Sequence, residues 1–182
     1  MSIQSREAKV FTVLLISMTI CALLMVALGN NPPSAGAFCL DQYCELAPVQ
    51  EVVRSRARQH VGRWDAIEIR YSGTSVGNIG QLASLSGLAS AEEVNCHFVI
   101  CNGRGGADGQ IQTTNRWHRQ WSVLPNSWPQ ADEKTICILV VSDGRSTPPT
   151  DYQRKRVEQL VEELCGHFDI RPGCVYYPED WQ

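Results

Sequence analysis

CHFVICNGRGGADGQIQTTNRWHRQ, residues 96–120, holds two short β-prone segments on either side of a cluster of glycine, asparagine and aspartate. The first segment is Phe98–Val99–Ile100, and the second is residues 110–113, where polar and apolar residues alternate. Glycine reaches positive φ without steric cost, so residues 102–109 suit a tight connection between them. The pattern predicts two strands joined by a loop. The second strand would then carry its last residues to an edge or rim of the sheet: Arg116, Trp117, His118 and Arg119.

Strands and helices alternate over the rest of residues 63–182, which predicts an α/β domain. Residues 64–74 alternate apolar and polar side chains and predict a strand with one buried face. Residues 135–142, TICILVVS, are typical of a strand buried on both faces. Leucines at 82, 85 and 88 have the spacing of a short helix, and residues 174–177 predict a last short strand.

A longer helix is predicted to begin after Pro148 and Pro149. Thr150 can cap it, and Gln153 completes a capping box three residues later. Apolar side chains then recur with the spacing of one helical face packed on a sheet, at Val157, Leu160, Val161, Leu164, Cys165 and Phe168.

The N-terminal region contains an uncharged run, VFTVLLISMTICALLMVAL, at residues 10–28. Nineteen residues of helix span the hydrocarbon core of a bilayer, about 30 Å thick. Arg6 and Lys9 precede the run, and no further Lys or Arg occurs before Arg54. This asymmetry predicts a single-pass protein of the cell membrane, with residues 1–9 in the cytoplasm and the remainder exported. The competing interpretation is a signal peptide cleaved near Ala37, which also places the body outside the cytoplasm.

Residues 29–62 are predicted to form a linker followed by a short basic helix at 51–61. The formal net charge is −3, and no basic cluster with interleaved aromatic residues is evident, so we expect no nucleic-acid partner. Of the eight cysteines, Cys39 with Cys44 and Cys165 with Cys174 are possible disulfide pairs. A buried thiol is the alternative for each, and the preferred interpretation for Cys137.

Three motifs carry a resemblance to a known family. His97–Ile100, the Asp108–Gly109–Gln110–Ile111 segment and Arg116–Trp117–x–Arg119–Gln120 resemble the central hairpin of the type 2 N-acetylmuramoyl-L-alanine amidases. Those enzymes share a fold with the peptidoglycan recognition proteins, and the likeness runs from Trp64 to the C-terminus. It implies a mixed central β-sheet flanked by helices.

The resemblance also implies where the family's chemistry would lie. The family binds zinc through two histidines and a third group, and zinc polarises the amide and acidifies a bound water. The corresponding positions are occupied by Arg70, a residue near Val123, and Pro178, and the family's catalytic tyrosine corresponds to Cys96. A Gly166–Asp169 segment is similar to a family motif but is out of register. Cys96, His97 and Cys101 lack metal-ligand spacing, so we expect no catalytic residue and no metal or other cofactor.

The residues expected to bind a ligand follow from this alignment. Arg70 would pair either with a carboxylate of a peptidoglycan stem peptide or with a nearby acid such as Glu179 or Asp180. The tryptophans, including Trp128, would stack on sugar rings or anchor loops. The full set of candidate ligand-binding residues is Arg70, Tyr71, Ser72, Thr74, Cys96, Arg116, Trp117 and Trp121.

Three functions are compatible with these observations. The favoured one is a membrane-anchored, extracytoplasmic, non-catalytic module that binds peptidoglycan or muropeptides. The second is an active amidase that cleaves the lactyl amide with a rearranged zinc site. The third is a structural protein that binds another protein of the cell envelope.

Overall fold

The computed structural model of the protein describes residues 12–19, 46–124 and 128–181. The chain divides into two compact units, Met1–Leu40 and Asp41–Gln182. In the first unit, residues 12–19 form a helix. No helix within the described ranges is long and apolar enough to cross a bilayer. Most of the predicted membrane segment 10–28 lies outside those ranges, as do the linker 29–45, the cleavage site near Ala37, and Cys39 with Cys44.

The second unit is built on a mixed five-stranded sheet, which confirms the predicted α/β class with helices flanking a central sheet. The strands are β1 (Ala66–Tyr71), β2 (Phe98–Ile100), β3 (Ile111–Thr113), β4 (Thr135–Val140) and β5 (Val175–Tyr176). Their order in the sheet is β3-β2-β4-β1-β5. The pairs β2–β4, β4–β1 and β1–β5 are parallel, and β2–β3 is antiparallel.

The helices of this unit differ in length. They are α1 (Val49–Val53), α2 (Ile79–Leu85), α3 (Asn115–Arg119) and α4 (Asp151–Phe168), with 3-10 turns at Ala91–Glu93 and Pro172–Cys174. The predicted cap of α4 is confirmed, because the Thr150 hydroxyl accepts from the Gln153 backbone N–H and the Gln153 side chain accepts from that of Thr150. This reciprocal pair satisfies two donors that a helix N-terminus leaves without partners.

Alternation along the central strands divides the core into two layers. Ile67 pairs with Ile136 and Ile69 with Ile138, so these isoleucines share one face of the sheet. The apolar stripe of α4 packs on that face, together with the buried rings of Trp64 and Trp117. The opposite face carries Val99, Cys137 and Leu139, and it is only partly covered, by α2 and the loops around Val94 and Trp128.

Two local predictions were wrong. The predicted basic helix at 51–61 is limited to α1, which ends at Val53, and residues 54–60 run on without helical structure. Arg116 to Arg119 lie in α3 and not at the end of a strand, because the Thr114 hydroxyl accepts from the Trp117 backbone N–H and donates to the Cys96 carbonyl, starting a helical turn there.

Cys165 and Cys174, one of the two pairs considered as disulfides, are free thiols.

Candidate functional site

The open face of the sheet contains a groove of about 540 Å³. Arg70 and Tyr71 end β1 at one side of it, and Leu139 of β4 contributes to its floor. Leu82, Leu85 and Leu88, from α2 and the turn after it, form an apolar wall. The side chain of Leu85 is 64% exposed, so this wall offers apolar surface to a ligand.

The opposite wall is held by Asn95. Its side chain makes two hydrogen bonds with the Leu124 backbone, donating to the carbonyl at 2.8 Å and accepting from the N–H at 2.7 Å. The Asn95 carbonyl accepts from the indole N–H of Trp128 at 2.6 Å. Trp128 is therefore fixed against the core, with part of its ring lining the groove.

Arg70 is the cation of the groove. The side chain is exposed, and its guanidinium carbon lies 5.9 Å from the centre of the Trp128 ring. It also lines a second cavity of about 350 Å³, bounded by Tyr177, Pro178 and Glu179 near the C-terminus. Arg70 thus lies between two adjoining cavities, where a carboxylate could pair with it.

Glu68 lies two residues before Arg70 and on the same face of β1. It is 4% exposed, and its Oε2 atom has no hydrogen-bond partner among the described residues. Burial raises the pKa of this carboxyl, while the charge of Arg70 and a hydrogen bond from the Gln130 backbone partly offset the rise. Sequence reasoning missed Glu68 because alternation along β1 indicated only that it would face away from the isoleucine core.

Cys96 lines the groove, but its thiol is buried and not ionised at neutral pH. It is 1% exposed, and burial raises the pKa of its thiol to about 12, with the charge of Arg116 opposing that rise. A thiol with this pKa is protonated at neutral pH, so it is a poor nucleophile there.

The hydroxyls at the end of β1 hold loops in place. Ser72 Oγ lies 2.8 Å from Thr74 Oγ1 and accepts a hydrogen bond from the Ser142 backbone N–H. These contacts tie the loop after β1 to the loop after β4. Ser72 and Thr74 still line the groove, where they offer polar atoms at its mouth.

The remaining candidates lie elsewhere. Trp117 is fully buried on the α4 side of the sheet, where its indole N–H donates to the Val53 carbonyl at 3.0 Å. Arg116 donates to the Ser122 carbonyl. Trp121 is 52% exposed and stacks under Arg119. The groove thus brings together Arg70, Tyr71, Ser72, Thr74 and Cys96, and it does not include Arg116, Trp117 or Trp121.

Zinc does not fit the residues at the positions implied by the resemblance. Arg70 and Cys96 line the groove, Pro178 lines the adjoining cavity, and Val123 is buried in the same apolar cluster as Cys96. A guanidinium, a proline ring and a valine offer no electron pair to a metal. Within residues 12–19, 46–124 and 128–181, no three His, Cys, Asp or Glu side chains are placed to hold a metal ion.

His97 is close to this region but both its ring nitrogens are engaged. Nδ1 accepts from the Cys137 backbone N–H at 2.8 Å, and Nε2 therefore carries the proton and donates to the Trp121 carbonyl at 2.9 Å. Burial lowers the pKa of His97 to about 4, so the ring is neutral at physiological pH. A metal could bind His97 only by breaking one of these hydrogen bonds.

Comparison with known proteins gives weak likenesses. No protein-family model matches the chain, and no curated protein matches it. A solved structure of the N-acetylmuramyl-L-alanine amidase AmiD from E. coli, in complex with anhydro-N-acetylmuramic acid-L-Ala-D-gamma-Glu-L-Lys, is similar at 18% identity and a TM-score of 0.40. The likeness covers 67% of this chain and 51% of that one, so the chain spans about half the length of that amidase structure. PGRP-Hd from Alvinella pompejana is similar at 14% identity and a TM-score of 0.42, over 74% of this chain and 86% of that one.

Proposed function

We propose that the second unit is a non-catalytic binding module whose groove holds a peptidoglycan fragment, with a stem-peptide carboxylate paired to Arg70. The observation that carries the proposal is the exposed guanidinium in a groove whose lining combines leucines and Trp128 with polar side chains, among them Ser72, Thr74 and Glu93. A muropeptide offers both a carboxylate for the cation and sugar or alkyl surface for the apolar walls. The sequence resemblance supplies the ligand class.

The absence of catalysis belongs to the same proposal and is supported by the chemistry of the side chains. The imidazole position of the family holds a permanent cation, Arg70, which repels a divalent metal. The position of the catalytic tyrosine holds Cys96, whose raised pKa keeps the thiol protonated. His97, the histidine nearest in sequence to Cys96, is neutral and hydrogen-bonded at both nitrogens.

We further propose that residues 10–28 anchor the chain in the cell membrane and that the second unit is extracytoplasmic. The charge asymmetry about that segment supports this orientation. It would place the groove on the side of the membrane where peptidoglycan is found.

Titration calorimetry with a soluble muropeptide tests the binding. The comparison is between the full-length protein, Arg70→Gln, and the control Arg171→Gln, which removes an exposed arginine after α4. Loss of a charge-assisted hydrogen bond costs about 1.5–3 kcal/mol, so Arg70→Gln should weaken binding by roughly ten- to a hundred-fold. The control should bind like the unaltered protein. Equal affinities for Arg70→Gln and the unaltered chain would contradict the assigned role of Arg70.

A further inference from the structure

A row of outward-facing arginines follows α1. From Arg54 to His60 exposed residues alternate with half-buried ones, so Arg54, Arg56, Arg58 and His60 all face solvent. The chain bends at residues 56 and 57, and the segment carries three exposed guanidinium groups within five residues.

The intervening residues hold the row in place. The Ala57 backbone N–H donates to the His118 carbonyl at 2.9 Å, and Gln59 Nε2 donates to the Val53 carbonyl at 2.7 Å. Ser55 Oγ donates to the Ala57 carbonyl at 2.7 Å. Because the backbone is attached to α1 and α3, the chain segment that carries the arginines is held in place before any partner binds, which lowers the entropic cost of binding.

A second basic segment lies alongside the row. Arg63 donates to the Gln120 carbonyl and to Ser122 Oγ, which brings the end of the row against the residues after α3. There Arg119 stacks on Trp121, with its guanidinium carbon 4.6 Å from the ring centre. We call these residues the arginine surface: Arg54, Arg56, Arg58, Arg63, Arg119 and Trp121.

The arginine surface is bordered by acids but keeps a positive balance. Residues 52–64 and 109–131 contain no Asp or Glu, and the acids that border the first segment and the C-terminal end of the second are Glu51, Asp65, Asp132 and Glu133. Asp65 lies 3.8 Å from the amine of Lys134, and Glu133 is adjacent to the surface because its carbonyl accepts from Arg63. The five arginines exceed these four acids, one of which faces Lys134, so the local charge is positive and favours an anionic partner.

Two kinds of anionic partner fit a positive surface, a membrane and a dissolved polyanion, and the exposed apolar side chains near the arginines favour the membrane. Trp121 is 52% exposed and Val61 is 76% exposed. Tryptophan is enriched where protein meets the headgroup layer, since its ring is apolar and its N–H is polar. Basic residues next to exposed apolar ones are the combination that holds proteins at anionic lipid surfaces.

We infer that the arginine surface rests on a bilayer containing anionic phospholipids, with Trp121 in the headgroup layer. Arg54 comes 26 residues after Leu28, so the row is within reach of a membrane in which residues 10–28 are anchored. The contact does not require that anchor, and it does not depend on what the groove binds.

Quenching of tryptophan fluorescence by lipids brominated near the headgroup measures this contact in the full-length protein. Residues 10–28 contain no tryptophan, so their insertion alone leaves the signal unchanged. Trp64, Trp117 and Trp128 are buried and Trp181 is half-buried, so Trp121→Phe is used to identify the share of quenching that belongs to Trp121. We expect quenching in phosphatidylcholine vesicles with about 30% phosphatidylglycerol, none in phosphatidylcholine alone, and reversal in about 0.5 M NaCl, where the Debye length is below 8 Å.

Charge removal then tests the row itself. Each arginine near an anionic surface contributes about 1 kcal/mol, so Arg54→Gln, Arg56→Gln and Arg58→Gln in one chain should raise the lipid concentration for half-maximal quenching on the order of 100-fold. The matched control is Arg104→Gln, Arg145→Gln and Arg171→Gln, which removes three exposed arginines elsewhere and should change nothing.

Three results would overturn the inference. One is equal quenching with and without phosphatidylglycerol, and another is an equal loss in the two triple variants. The third is absence of quenching together with tight binding of heparin that the Arg54, Arg56 and Arg58 variant abolishes, which would assign the surface to a soluble polyanion. Muropeptide binding by the same triple variant should be unchanged, so failure here is distinguishable from failure of the groove.

Discussion

Arg70 and His97 show how single side chains set the chemistry of the open face. Both lie near the positions where the sequence resemblance implies a metal site. The cation of Arg70 disfavours a metal and favours a carboxylate. Both ring nitrogens of His97 are hydrogen-bonded to backbone groups, one to Cys137 and the other to Trp121, so His97 joins β4 to the segment after α3. Under the proposed function, these two residues account for ligand binding without zinc chemistry in this region.

The neutral state of His97 predicts a pH dependence of stability. Its pKa is about 4 in the folded protein and about 6.5 when unfolded, so the unfolded chain binds the proton more tightly. This contribution is fully present above pH 6.5 and is lost as the pH falls towards 4. We expect the free energy of unfolding to drop by about 3 kcal/mol over that interval because of this residue.

Urea denaturation at a series of pH values measures the effect. His97→Gln removes the titrating group, so its stability should be lower at pH 7 and should change less between pH 6.5 and 4. His167→Gln, at the exposed end of α4, is the control and should keep the slope of the unaltered protein. An unchanged slope in His97→Gln would mean that His97 is not held neutral by the fold.

At the scale of elements, the glycine-rich loop between β2 and β3 packs closely against α4. Gly109 has φ +71°, and a Cβ added there would lie 2.6 Å from Cδ1 of Tyr152 and 2.9 Å from Cγ of Arg156. The Gly109 carbonyl also accepts from Arg156 Nε at 3.2 Å. The hairpin and the helix therefore approach each other at a point where only glycine fits.

Gly109→Ala should accordingly destabilise the protein more than backbone strain alone explains. Gly62→Ala is the matched control, because Gly62 has φ +82° and open space around its Cα. We expect about 1 kcal/mol for the control and about 2–4 kcal/mol for Gly109→Ala, since the latter adds overpacking to the strain. Thermal unfolding of both variants measures the difference, and equal losses would show that the contact with Tyr152 relaxes freely.

The elements that could be predicted from the sequence are those with local signals. The cap at Thr150, the stripe of α4 and the alternation along β1 depend on neighbours in the chain, and the structure confirms them. The start of α3 and the row at residues 54–60 depend on hydrogen bonds between distant segments, such as Ala57 to His118. A pattern of single residues contains no signal for such bonds, so both were predicted wrongly.

The candidate site was predictable to a similar extent. Arg70, Tyr71, Ser72 and Thr74 follow one strand, so placing β1 placed them together. The leucines of α2, and Asn95 with its two hydrogen bonds to the Leu124 backbone, are brought to the same groove only by loops. The sequence does not determine the paths of those loops. Trp117 matched the family motif, yet its indole N–H bond to Val53 fixes it in the core on the α4 side.

At the scale of the whole second unit, the two faces of the sheet have different roles. One is closed by α4 over a continuous core of isoleucine, leucine and aromatic side chains. The other is covered only in part and leaves the groove beside Arg70. A ligand that pairs with Arg70 can therefore bind without any rearrangement of the main core.

Mass spectrometry of a muropeptide recovered from the full-length protein after incubation with added zinc tests the central claim most directly. If the groove binds without cutting, the ligand co-purifies with the protein and returns with its lactyl amide intact. Recovery of free stem peptide and sugar from the native protein, but not from a boiled sample of the same protein, would show that the chain is an amidase after all. Failure to recover any muropeptide would equally contradict the account, because the groove would then not be its binding site.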